Sequence, residues 1–174
     1  ISASSVWPLA VTGSVAVCGA PISLSQAGAV KFYALTFAPA GVLDPTKEVL
    51  VAGNTAGELW KIDEQGAVTL LGNFGVVPPH DGNGHTYQHA GKTWELSGDV
   101  VFLANEGNPV GFATVRDCEN PPSTSSCSND DTLIEIDVAK LAAASGGSVT
   151  KSVRGVIVKR ADCDDGINGS YDNM

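Results

Sequence analysis

Apolar residues in this chain come in short alternating runs, and most runs end at glycine, proline or asparagine. That period of two predicts strands, and the punctuation predicts tight turns. The clearest stretch starts at Lys31. Phe32 to Phe37 reads as a strand, Ala38-Pro39-Ala40-Gly41 as a break, and Glu48 to Ala52 as a second strand stopped by Gly53-Asn54. Gly57 to Asp63 is a third, with Leu59, Lys61 and Asp63 on one face and Trp60 and Ile62 on the other. Gln65-Gly66 turns the chain, and Ala67 to Leu71 is a fourth. Four short strands joined by turns make a meander. Residues 1–30 form an N-terminal strand segment, irregular apart from one or two strands. Val11, Val15 and Val17 alternate with small or polar residues there, which suits a half-buried strand.

The pattern recurs. Lys92 to Leu96 is strand-like, Ser97-Gly98-Asp99 reads as a turn, and Val100 to Asn105 parallels Val49 to Asn54. Thr132 to Asp137 parallels Glu58 to Asp63, and Val153 to Lys159 supplies a closing strand. On this alignment the second copy carries an insertion from about Glu106 to Cys127. Asp137 to Ser145 is the one credible helix, with Asp137 able to cap it and alanines filling it. The organisation is then a strand segment at 1–30, a first repeat at 31–74, a histidine-bearing loop at 75–91, a second repeat at 92–160 and an acidic tail at 161–174.

The paired segments Val49–Asp63 and Val101–Asp137, each ending in Leu-x-x-Ile-Asp or a close variant, resemble blades of a β-propeller and are similar to those of bacterial exported propellers. The resemblance covers roughly residues 31–160. It implies an all-β fold of antiparallel meanders arranged as an incomplete propeller, since a ring needs roughly 4–8 blades and the chain holds about two. A β-sandwich is the alternative. It also implies the rest of a longer chain, or further copies, to complete the ring. It implies no particular activity, because propellers host many.

Composition narrows the partners. Hydrophobic residues are 43 % of the 174 and charged residues 17 %, against an ordinary charged share of about 25 %, so the chain folds rather than staying disordered. A formal net charge of −9 repels phosphate, which excludes nucleic acid and an anionic membrane surface as natural partners. No apolar run approaches the ~20 residues of a membrane span.

The four cysteines contain no C-x-x-C pair. Cys118 and Cys127 flank a polar, proline-bearing segment, which predicts a disulfide between them. Cys18 and Cys163 remain, either as a second bridge joining the two ends or as free thiols. The chain starts at Ile1 with no basic and apolar leader. A removed leader and excision from a longer chain both fit. With the cysteines, this favours an extracellular, cell-surface or periplasmic setting. Asn168-Gly169-Ser170 is a glycosylation sequon if the source is eukaryotic.

Two segments carry candidate metal chemistry. His80, His85 and His89 are the only histidines. An extended strand would put His85, Tyr87 and His89 on one face, and the Gly82-Asn83-Gly84 turn would fold His80 back towards them. Three imidazoles suit zinc or copper, with Asp81 as base or ligand. The spacing matches no H-E-x-x-H motif, and a polar loop of exposed histidines is the other reading. In the tail, Asp162, Asp164, Asp165, Asn168 and Asp172 offer oxygens for calcium. The helix-loop-helix pattern is not met, and a solvated acidic turn is the other reading. Nucleophilic catalysis has no G-x-S-x-G elbow to support it. Asp130-Asp131 reads as a turn former. Trp7, Trp60 and Trp94 either line a carbohydrate surface or pack strands. Three functional readings follow. The first is a binding or structural module whose loops 75–91 and 106–131 face an extracellular protein or glycan. The second is a secreted metalloenzyme using the three histidines. The third is a subunit of an extracellular homo-oligomer or filament.

Overall fold

The computed structural model describes residues 5–25, 31–120, 126–128 and 130–157. The fold is all-β. Two four-stranded antiparallel sheets follow one another, each a plain up-and-down meander. The first contains β5 (Phe32–Ala38), β6 (Val49–Asn54), β7 (Glu58–Ile62) and β8 (Val68–Asn73), hydrogen-bonded in that order. The second contains β9 (Trp94–Leu103), β10 (Val110–Asp117), β11 (Asp131–Ile136) and β12 (Thr150–Ile157), in the same order. Neither sheet closes on itself. Ahead of them, β1 (Ser5–Val6) pairs with β4 (Ile22–Ser23), and β2 (Leu9–Thr12) pairs with β3 (Val15–Cys18).

The sheets pack face to face over one core. Val51, Leu59, Leu71 and Phe74 from the first meet Trp94, Leu96, Phe102, Val115, Ile134 and Ile136 from the second. Alternation explains the choice of face. Along β10 every second residue is buried, and the same period puts Trp94 and Leu96 inward. The approach is close enough to need small residues. A Cβ on Gly53 would collide with the Leu96 side chain, and one on Gly72 would lie 2.8 Å from the Gly147 carbonyl. The first strands of the two meanders, β5 and β9, run beside each other. At the far edge, Asn73 N–H donates to Gly147 O (3.0 Å) and Val149 N–H donates to Asn73 O (2.8 Å), stitching the end of β8 to the chain before β12. A smaller apolar cluster of Val6, Leu24, Phe32, Ala52 and Ile62 fixes β1 and β4 to the back of the first sheet.

Helix α1 (Val138–Ala142) forms where the sequence places it, with Asp137 at its N-cap accepting from Lys140 N–H. Three expectations change. The β2–β3 strands are exposed along their whole length, not half-buried, because no other element among the described residues covers them. Ser97-Gly98-Asp99 is no turn. It lies inside β9, which runs unbroken from Trp94 to Leu103. Opposite it, the β10 register shifts between Ala113 and Val115, and Thr114 Oγ1 would meet a Cβ on Gly98 at 2.6 Å. A bulge thus absorbs the turn-prone residues without reversing the chain.

The third correction concerns the repeat. Glu58–Ile62 and Asp131–Ile136 do occupy the same place, third in each sheet. Val49–Ala52 and Val101–Ala104 do not: the first lies in a second strand, while β9 is a first strand. The counterpart of β6 is β10, inside the segment expected to be an insertion. The registers agree, since Leu50 pairs with Ile62 and Gly111 with Ile136. Two connections lengthen the second copy, 118–130 between β10 and β11 and 137–149, which carries α1, between β11 and β12, rather than the whole of 106–127. The two apolar runs look alike although β6 is buried along nearly its whole length and β9 leaves Val101 and Leu103 exposed.

Candidate functional site

Three connections gather at one edge of the packed sheets: the turn 54–57 between β6 and β7, the loop 74–93 between β8 and β9, and the connection 118–130 between β10 and β11. Phe74 N–H donates to Gly57 O (2.9 Å), and Gly57, at φ +72°, sits so close to the Trp94 carbonyl that a Cβ would strike it.

The centre of this edge is Asp117, which is 2 % exposed. Its Oδ2 accepts from Gln88 N–H (2.9 Å) and His89 N–H (3.1 Å), and its Oδ1 accepts from Ser128 Oγ–H. One carboxylate therefore holds two loops that lie far apart in sequence. Beneath it, Tyr87 is buried, edge-on to Trp94 with centroids 5.1 Å apart, and its hydroxyl accepts from Thr132 Oγ1 at 3.4 Å. Burial pushes the Tyr87 hydroxyl above its ordinary value, so it stays protonated.

The histidines sit on this frame but do not converge. The chain reverses at Gly82-Asn83-Gly84 and brings His80 beside Thr86, with Nδ1 3.4 Å from the threonine hydroxyl. Residues 85–89 are not a strand, so His85, Tyr87 and His89 share no face. Tyr87 points inward, His85 packs on its ring at 4.8 Å, and His89 sits in a turn. Asp81 is held as a turn former: its Oδ1 accepts from Asn83 N–H and His85 N–H, each at 2.8 Å. Burial pushes its carboxyl up, but those N–H groups and the His85 ring outweigh it, and the net shift is downward. A carboxylate so stabilised makes a poor base.

Among the described residues, one group of three His, Cys, Asp or Glu side chains has ligand atoms within 4.8 Å of one another: Glu95, Cys118 and Cys127. Its sulfurs are joined in a disulfide, so they offer no thiolate. The predicted Cys118–Cys127 bridge is present. Cys18 is exposed at the end of β3 and has no disulfide partner among the described residues. Cys163 lies outside them, as do Asp162, Asp164, Asp165, Asn168 and Asp172. Asp131 is in β11 rather than a turn, paired to Arg116 at 3.2 Å. Trp94 is core. Trp60 donates to Glu58 Oε2 and packs on Phe32, while Trp7 is exposed.

Sequence reasoning missed Asp117 and Glu95. Asp117 ends an alternating run and precedes a cysteine, which marks a strand end but not its partners. Glu95 lies between Trp94 and Leu96, and alternation alone sends it to the opposite face. Its burial there, with Arg116 across from it in register, has no signature in the chain. Comparison with known proteins finds no family model that matches the chain, no similar curated protein and no similar solved structure.

Proposed function

We propose that the chain is an exported binding or structural module of propeller type, which presents the loop edge around Asp117 to an extracellular protein or glycan. The observation that carries this reading is the repetition: two four-stranded meanders in one strand order share a core, and their first strands lie together. Successive blades of a propeller have that relation. In such a fold the connections on one edge form the recognition surface, held by a rigid scaffold. Here that surface comprises residues 75–91 and the described part of 118–130. The disulfide fits an oxidising compartment, and no helix among the described residues is long and apolar enough to cross a membrane.

The test is binding of the purified chain to a glycan panel and to cell-wall polymer. Expected is saturable binding that Thr86→Ala with Gln88→Ala weakens at least about tenfold while the far-UV spectrum is unchanged. Both side chains are exposed, so the fold does not depend on them. Absence of binding, or binding indifferent to both substitutions, overturns the reading.

A second reading, a subunit that completes its sheets with further copies, draws on a separate observation. Tyr33, Leu35 and Phe37 on β5, with Val101 and Leu103 on β9, are all more than 40 % exposed. An apolar row of this kind on first strands suits another protein surface. Sedimentation at increasing concentration should show association that Leu35→Asp with Phe37→Asp abolishes. A compact monomer at every concentration excludes it.

A further inference from the structure

The Cys118–Cys127 cystine is placed unevenly. Cys118 is fully buried, while Cys127 is half-buried. A carboxylate oxygen of Glu95 lies within 4.8 Å of both sulfurs. Glu95 is 1 % exposed, and its Oε1 has no hydrogen-bond partner among the described residues. A bridge that only closes a loop gains nothing from such a neighbour, whose burial costs free energy. The groups facing Glu95 are few. Arg116 lies across from it on β10 and is itself paired with Asp131 on β11. From β5, Tyr33 feels the charges of Glu95, Arg116 and Asp131. Burial raises the Glu95 carboxyl above its ordinary value, and Arg116 pulls it back part of the way. Glu95 thus holds its proton more firmly than an ordinary carboxyl, and its conjugate base has a counter-charge at hand.

We propose that Cys118–Cys127 is an exchange-active disulfide that oxidises external dithiols, with Glu95 carrying the proton to and from Cys118 Sγ. A thiolate of the dithiol attacks Cys127 Sγ, the sulfur of the less buried residue. A new S–S bond forms to Cys127, the Cys118–Cys127 bond breaks, and its electron pair leaves on Cys118 Sγ. Glu95 gives its proton to that buried sulfur and becomes a carboxylate facing Arg116. The second thiolate of the dithiol then attacks the mixed disulfide at the external sulfur. It releases Cys127 as a thiolate, which takes a proton from water. The dithiol loses two electrons and becomes a disulfide, and the protein gains two thiols. Exchange is limited by the leaving sulfur, and a thiolate stranded in an apolar site is a poor leaving group, so a proton donor there accelerates the step.

The experiment follows reduction of the native protein by dithiothreitol across pH, with alkylation and mass readout. Each rate is divided by the dithiothreitol thiolate concentration. Expected is a rate proportional to dithiothreitol. Once normalised, it should fall as pH rises through the Glu95 titration, because only the protonated carboxyl donates. Glu95→Gln should slow reduction at low pH at least about tenfold and remove that fall. A monothiol probe, glutathione, should be trapped on Cys127. A rate independent of dithiothreitol overturns the proposal, since the bridge would then open only by unfolding. A normalised wild-type profile without pH dependence, an unchanged Glu95→Gln profile or glutathione trapped on Cys118 does the same. If Glu95→Gln fails to fold, the wild-type profile and the trapped position decide.

Discussion

Single side chains decide how the loop edge is held. Asp117 takes two backbone N–H groups and one hydroxyl while almost fully buried. Asp117→Ala leaves those donors without an acceptor, at roughly 1–3 kcal/mol for each that stays dry. The expected loss is about 2–4 kcal/mol, read as a lower urea midpoint, and Asp117→Asn, which keeps one acceptor oxygen, should lose less. Glu135 is the acid-sensitive residue. Lys151 donates to its Oε1 at 2.8 Å, and Arg154 pairs with its Oε2. The Lys151 hydrogen bond, aided by Arg154, outweighs burial and holds its carboxyl below the ordinary 4.5. With the native value depressed, the unfolded chain binds the proton more readily. Glu135 therefore stabilises the fold above its ordinary value, and that contribution is lost as pH falls through the native value. Glu135→Gln should be the less stable protein near neutrality and converge with wild type at low pH, as equal denaturant midpoints would show. Of these residues, only caps such as Asp137 are legible in the sequence, because a cap bonds its own next turn. Asp117 bonds residues 28 and 29 positions away, and no local pattern records that.

Strands were easier to read than their order. Alternation marks β5 and β7 in the sequence itself, whereas β10 falls inside the expected insertion and goes unread although its burial alternates strictly, and the Cys118–Cys127 bridge follows from a short polar stretch between cysteines. Repeat position fails for a physical reason: Val, Leu and Ala suit a strand buried on both faces, as β6 is, and equally a first strand such as β9 that leaves Val101 and Leu103 exposed, so the two look alike while standing in different columns of their sheets. Turn residues mislead in the same way, since Gly98 serves a bulge inside β9 and Gly57 serves a true reversal. These uses can be told apart by substitution. Gly57→Ala must tolerate φ +72° and a clash with the Trp94 backbone, whereas Gly13, at φ +62° in the exposed β2–β3 turn, has nothing within 4 Å of a new Cβ. Gly13→Ala should cost only about 1 kcal/mol, and Gly57→Ala at least about 2 kcal/mol once the overpacking cost is added. Paired thermal melts would check this, and equal losses would contradict the steric role given to Gly57.

At the scale of the molecule, the class of fold was legible and the packing of one sheet on the other was not, because alternation names a buried face without naming what covers it. The shared core makes the two meanders thermodynamically one unit. Val51 and Leu59 lie in one core cluster with Trp94, Leu96 and Ile134, so heat and denaturant should give one transition whichever sheet is probed. The stitch between Asn73 and residues 147–149 extends that dependence into biosynthesis. A ribosome that has delivered only the first meander holds a half-sheet whose oily side is bare and whose outer rim is untied. Nascent chains arrested before Val149 emerges should remain open to protease, and those arrested once Ile157 is clear should resist it. The chain through the 147–149 segment must therefore be made before either meander is safe from attack.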